Sequence, residues 1–481
     1  MKIILFFLSL TSSFVFAQNA FFKVFSSNGY DVAHGVAQLA DSSYFVTGSS
    51  SSFQDNDQAF LMKLDKEGNF KWSKDYGGSE SEIARRVFVV PNSGVYLFGY
   101  GNSTSDGNFD AFVLKTDMNG NLLWNKNYGG NGWEKIMDAK PTVDSGFIFV
   151  GQTFSTNNES GNVYIVRINK HGDTLWTKNW GGSGDDIANT IISKNDTSFY
   201  IGGKIFEADS LMDKGFLMQI DTSGNILDVD TLGSFGNYEI NDLQKDVNKI
   251  VALGWGQKPF QNKHSGLIFN LDFNGNVVNE DLTFNGNNYQ YNHICMFGPS
   301  NSFYFNLSLE NASPVFKNDQ YVAMYYNGLW WGNAQMNLVF EEEDEAHDLI
   351  STNDGGAVMV GAMKQFSVGG SNAYLVKIGP NTTYPAISAL PPVEPLLTVN
   401  SIEDIPGLQI YPNPMHETLT LKDESASTYE VLLMNTTGEV LMRFLKNDAL
   451  ETISVAHLSS GMYLLKGIRD QIPFTKVLVK Q

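Results

Sequence analysis

The chain has 481 residues, with 52 acidic and 32 basic side chains and a formal charge of −20. That negative excess repels phosphate backbones and excludes a basic nucleic-acid-binding surface, while a single Cys excludes an internally disulfide-stapled scaffold. A mean hydropathy of −0.18, 13% aromatics and 45 Gly exclude a disordered chain and point to many short strands joined by tight turns.

The chain opens Met1-Lys2, continues with an apolar run from Ile3 to Leu10, and reaches the small residues Val15 and Ala17. A basic start, a short apolar core and a small-residue cleavage point predict a secretory signal peptide over 1–17. The run is too short to span about 30 Å of hydrocarbon. No later stretch is long enough either, so no transmembrane segment is expected in the mature chain. No Cys stands near the cleavage point to take a lipid anchor. Cys295 is expected to be buried and inert.

Internal repetition organises residues 18–380. Trp72, Trp124 and Trp176 stand 52 apart, and Tyr76-Gly77-Gly78, Tyr128-Gly129-Gly130 and Trp180-Gly181-Gly182 follow each at the same distance. A second landmark is a Gly ending an apolar run, at Gly48, Gly99, Gly151, Gly203, Gly254 and Gly361, with Asn306 in the sixth place. A third is an Asp or Asn three residues before a Gly, as in Asp65–Gly68 and Asp117–Gly120. Each unit carries four strand signals, and its last two strands are joined by a tight Gly-containing hairpin. Four antiparallel strands per repeat of this length predict a β-propeller of seven blades. The Trp-type fourth strand is missing after the seventh unit. Ala20–Phe25 aligns with Lys71–Tyr76, placing Phe21 on Trp72 and Phe25 on Tyr76, so the N-terminal strand is expected to complete the last blade and close the ring.

Residues 381–402 are rich in Pro and read as a semi-extended linker. Residues 403–481 then show short alternating strands at Thr418–Leu421, Tyr429–Met434, Val440–Phe444, Met462–Leu465 and Phe474–Val479, which predict a small β-sandwich. The fold expected is therefore all-β: a seven-bladed β-propeller closed by an N-terminal strand, followed by a small C-terminal β-sandwich. Residues 401–481 carry only −3 of the charge, with 10 acids and 7 bases, so the acidity belongs mainly to the ring.

Four features of the last unit stand in a recognisable order. They are Tyr411-Pro412-Asn413-Pro414, the Asn435-Thr436-Thr437-Gly438 turn, the Gly461-Met462-Tyr463 turn and strand, and a closing strand ending at Lys480. With them the segment resembles the type A sorting domain of the type IX secretion system of Bacteroidetes. The resemblance implies a passenger exported across the inner membrane by its signal peptide and across the outer membrane by this domain. It also implies the type IX machinery as partner. In that family the domain is commonly removed, and the passenger is released or attached to surface lipopolysaccharide. The central repeats resemble the propeller repeats of about 52 residues found in secreted bacterial proteins.

Reactive chemistry is sparse. There is no Gly-x-Ser-x-Gly elbow, no phosphate-binding loop and no His or Cys pair at metal-ligand spacing, so no catalytic or metal residue is assigned. Asp31, Glu82, Glu134, Asp186 and Asp344 begin the first strands of their units. They form either a carboxylate ring able to hold a cation or a set of turn caps. Asn237 and Tyr289 interrupt the series, which favours caps. The Asp-x-x-Gly-Asn turns read as turns held by the Asp side chain. No cofactor is expected, with Ca2+ as the alternative at the acidic positions.

His34 and His347 occupy the same repeat position, three residues after Asp31 and Asp344, in blades that a closed ring makes neighbours. Arg85 is their counterpart in blade two. The alternatives are a polar ligand-binding site at the channel mouth and two separately satisfied His. Tyr289, Tyr291, Tyr325, Tyr326, Trp330 and Trp331 crowd the sixth repeat, where aromatics could stack on sugar rings or pack between blades. The function expected is that of a monomeric, exported or surface-attached binding or adhesion module for a glycan or protein. The alternative is a polysaccharide-active enzyme built on the loops.

Overall fold

In a computed structural model, residues 20–480 are described apart from short stretches, the longest being 381–392, 397–407, 311–318 and 258–263. Residues 1–17, expected to be a signal peptide, and Asn413, Pro414 and Gly438 lie outside the described residues. Among the described residues, seven sheets of four or five strands precede residue 396, and two further sheets, of three and four strands, follow. The innermost strand of each of the seven contacts that of the next, and Asp31–Gln38 in blade one contacts Asp344–Ser351 in blade seven, so the sheets close into a ring.

The ring closes with the N-terminal strand. Phe21–Ser26 pairs antiparallel with Asn372–Ile378, with Phe21 opposite Lys377 and Phe25 opposite Ala373. In blade one, Trp72 lies opposite Lys63 and Tyr76 opposite Ala59, the same register. The alignment of Phe21 with Trp72 is thus one of position as well as sequence.

Each repeat landmark marks a contact between or within blades. The hairpin Asp at Asp117 accepts the amides of Asn119 and Asn121 on Oδ1 and the Asn121 side-chain amide on Oδ2, each at 2.8 Å. Asp65, Asp221 and Asp272 do the same in their blades. The turn needs Gly120 at φ 76°, and the Trp72 ring of the preceding blade packs at that glycine. Tyr76 donates its hydroxyl to the Gly120 carbonyl at 2.7 Å, and Tyr128 does so to Gly172. Lys74 reaches Asn121 at 2.6 Å. The Trp-x-Lys-x-Tyr motif is therefore a latch onto the next blade's hairpin. In the closing strand Lys23 reaches Asn69 at 2.9 Å and Phe21 packs at Gly68.

The glycine landmark follows from a bulge. Six inner strands carry an irregularity at one register position, after Ala33, Ala84, Ile136, Ala188, Ile240 and Ala346, and the sixth blade carries it after Tyr291. The displaced strand pushes a backbone carbonyl against the second strand, so a Cβ on Gly48 or Gly151 would stand 1.8 Å from it. Registers also correct two sequence alignments. Tyr291 pairs with Leu307, so Leu307 rather than Asn306 takes the glycine place in blade six. Tyr238, three residues before the bulged Asn241, rather than Asn237, takes the acid's place in blade five.

The Pro-rich segment is more than a spacer. Val393–Pro395 adds a fifth strand to blade seven, parallel to Phe21–Ser26. Leu396 is fully buried among Phe25, Phe60, Met62 and Leu375, between blades seven and one. Its amide donates to the Ser26 carbonyl at 3.0 Å, and Ser73 of blade one donates to its carbonyl at 2.9 Å.

The C-terminal unit is a sandwich of a three-stranded and a four-stranded sheet around Leu419, Leu421, Val431, Leu433 and Leu465. All five expected strands are present, joined by Leu408–Tyr411 and by Leu450–Ser454, the second of which the sequence does not announce. Gly461 pairs with Lys480, Met415 bridges to Lys480, and Tyr463 donates to the Ser459 carbonyl at 2.7 Å. Residues far apart in the sequence motif therefore meet at one edge, while Tyr411 stays exposed.

Candidate functional site

The bulges place seven side chains at one level around the axis: His34, Arg85, Met137, Asn189, Asn241, Asn292 and His347. An extra residue in a strand turns its side chain out of the ladder, and the repeat turns one from every blade. The His34 and His347 rings lie 4.5 Å apart between centroids, tilted by 53°. His34 Nδ1 and Arg85 Nε are buried without a hydrogen-bond partner. His347 Nε2 stands 3.2 Å from a Glu345 carboxylate oxygen. Burial holds the His34 imidazole well below its ordinary pKa, and His347, Arg85 and Arg86 push the same way. Burial also lowers His347, against the upward pull of Glu345. Arg85 is lowered chiefly by burial. The two imidazoles are thus neutral near pH 7, beside one cationic guanidinium. Together they offer donors and acceptors to a polar ligand.

One residue further along each inner strand lies a second polar belt that the sequence reading missed. Asp138, Asp242 and Asp348 each accept the backbone amide of the next blade, from Ile191, Ile294 and Val36, at 3.0 Å. Arg86 donates to Asp138 at 3.2 Å, and Thr190 to Asp242 at 3.1 Å. Burial pulls Arg86 down, but Asp348, Asp138 and Asp242 outweigh it and hold its pKa above the ordinary value. His293 approaches Asp242 at 3.6 Å. The 52-residue spacing of Arg86, Asp138, Thr190 and Asp242 was legible, but unlike side chains hid it.

The strand-start acids act as caps. Glu82 accepts the Gly78 and Ser103 amides at 3.1 Å, Glu134 the Gly130 amide at 2.9 Å, and Asp186 the Gly182 and Phe206 amides at 2.6 and 2.8 Å. Asp31 accepts the Ser50 hydroxyl at 2.5 Å. Asp344 pairs with Met363, and its side chain is outside the described residues, as are those of Tyr289, Tyr291, Tyr325, Tyr326, Trp330 and Trp331. Among the described residues, no three His, Cys, Asp or Glu side chains group to hold a metal ion. Cys295 is buried, and burial raises its thiol pKa.

A family described as a secretion system C-terminal sorting domain matches residues 409–481. The C-terminal unit is a type IX sorting domain. With this sorting domain the protein is cargo of the type IX machinery, secreted and then held at the outer cell surface or released. No helix among the described residues is long and apolar enough to cross a membrane. Comparison with curated proteins finds no match. Similar solved structures include the WD40 domain of Neurospora crassa Pan2, at 13% identity and TM-score 0.44 over 73% of this chain and 90% of that one. Puromycin hydrolase is similar at 10% and 0.47, over 82% and 59%. Drosophila Plexin A in complex with Semaphorin 1b is similar at 10% and 0.41, over 74% and 85%. Likeness at this level carries nothing about activity.

Proposed function

We propose that the ring is a binding or adhesion module for an extracellular glycan or protein, delivered by the sorting domain and engaged where His34, Arg85 and His347 meet. The observation behind this reading is the gathering of two buried, unpaired nitrogens, His34 Nδ1 and Arg85 Nε, beside the His347 imidazole on neighbouring inner strands. Buried polar atoms are ordinarily paired, and an unpaired cluster beside the axis suits a ligand that completes it. The test is a glycan array and an extracellular-protein binding screen on the mature chain and on a His34→Ala/Arg85→Ala/His347→Ala variant, with a reducing-end assay alongside. Saturable binding that the variant loses, without product release, is the expected result. Turnover of a polysaccharide replaces this reading with an enzymatic one. Binding that the triple variant retains moves the site elsewhere.

A further inference from the structure

The cleft between blades seven and one is filled by the chain's own segment 393–396. The repeat sets an equivalent cleft between blades one and two. Val24, Phe25 and Ser26, which pair with Val393–Pro395, correspond in register to Asp75, Tyr76 and Gly77. Ser73, which donates to the Leu396 carbonyl, corresponds to Asn125, since Met62 pairs with Ser73 and Leu114 with Asn125. Phe60 and Met62, which pack on Leu396, correspond to Phe112 and Leu114.

These counterparts line one open groove of about 600 Å³ between blades one and two. Among the described residues, no strand pairs with the outer edge of Phe70–Tyr76. A strand edge that no other strand pairs with is a template for a further strand. We propose that this groove binds an extended peptide segment of a partner protein. The segment adds in parallel to Phe70–Tyr76 and seats an aliphatic side chain against Phe112 and Leu114, with Asn125 donating to its backbone. The occupant is named by the resident segment, whose backbone pairing and single apolar anchor are the two contacts that strand addition uses. A second copy of this chain is a poor donor, because its own 393–396 is already seated. The site is separate from the axial cluster and does not rest on that reading.

The probe is a fluorescent synthetic peptide of residues 391–398, titrated into the mature full chain and followed by anisotropy. The expected result is saturable binding within a few millimolar, the local concentration a short tether gives the resident segment. Binding should weaken about tenfold or more when the peptide carries Leu396→Asp, or when the protein carries Asn125→Trp at an exposed position that fills the groove. Hydrogen exchange should slow at residues 74–78 on peptide addition. A thermal transition of Asn125→Trp equal to wild type shows that the loss is local. Three results overturn the proposal: no binding to wild type in that range, equal binding to Asn125→Trp, or binding only to protein carrying Leu396→Asp, which would mean the peptide re-enters the vacated resident cleft.

Discussion

At the scale of single residues, the repeat glycines and the axial histidines carry separate consequences. A methyl group on Gly151 meets the Lys135 carbonyl at 1.8 Å, a backbone atom that cannot turn away. Gly151→Ala is therefore expected to cost about 3 kcal/mol in denaturant unfolding. A methyl group on Gly182, two residues after Trp180, meets nothing within 4 Å, so Gly182→Ala should change stability by no more than about 0.5 kcal/mol. Equal effects would refute the bulge as the reason for the glycine landmark. The histidines act through pH. Both have folded pKa values below that of the unfolded chain, so below about pH 6.5 the unfolded state binds more protons. Stability is then full above that pH and falls as pH drops, by up to about 1.4 kcal/mol per pH unit for each His. Replacing both by Gln should flatten the slope between pH 6.5 and 5; an unchanged slope would place the titrating groups elsewhere.

At the scale of elements, a blade is held to its neighbour by the latch as well as by apolar packing. Tyr128 is buried and gives its hydroxyl to Gly172 across the blade boundary. Tyr128→Phe leaves that carbonyl without its donor and should cost about 1 kcal/mol in equilibrium unfolding. An effect near zero would make the latch a matter of ring packing alone. This contact also shows why the fold was legible. Trp72, Lys74, Tyr76 and Gly120 each contribute to one repeated contact, so the physics forces the same residues to recur at fixed spacing. The axial level was legible in part: His34 and His347 share a repeat position, which predicts neighbours once the ring closes. The belt of Asp138, Asp242 and Asp348 was hidden, although Arg86, Asp138, Thr190 and Asp242 keep the 52-residue spacing, because its positions hold unlike side chains and three of its contacts are to backbone amides, which leave no mark on the sequence. Leu396 was hidden for a related reason. One apolar residue in a Pro-rich stretch has no periodicity, and only the ring creates the cleft that receives it.

At the scale of the whole molecule, the two ends of the ring meet at one seam. Phe21–Ser26 comes from the N-terminal side of the first repeat, Asn372–Ile378 from the last repeat and Val393–Leu396 from the segment leading to the sorting domain. Closure is nonlocal, so its loss opens an edge on both blades, whereas loss of an equal area elsewhere leaves the ring intact. Leu396→Asp places a carboxylate in a fully buried apolar site and should destabilise the ring by about 3 kcal/mol or more. The sorting sandwich has its own core, contributed by Met415 onward, and lies beyond the seam. Ending the chain after residue 400 should therefore leave the melting of the ring unchanged, while ending it after residue 391 should lower it as Leu396→Asp does. Both truncations lack the sorting domain, and both should remain inside the outer membrane on cell fractionation. A chain ended at 391 that melts like one ended at 400 would show that 393–396 covers the seam without holding it.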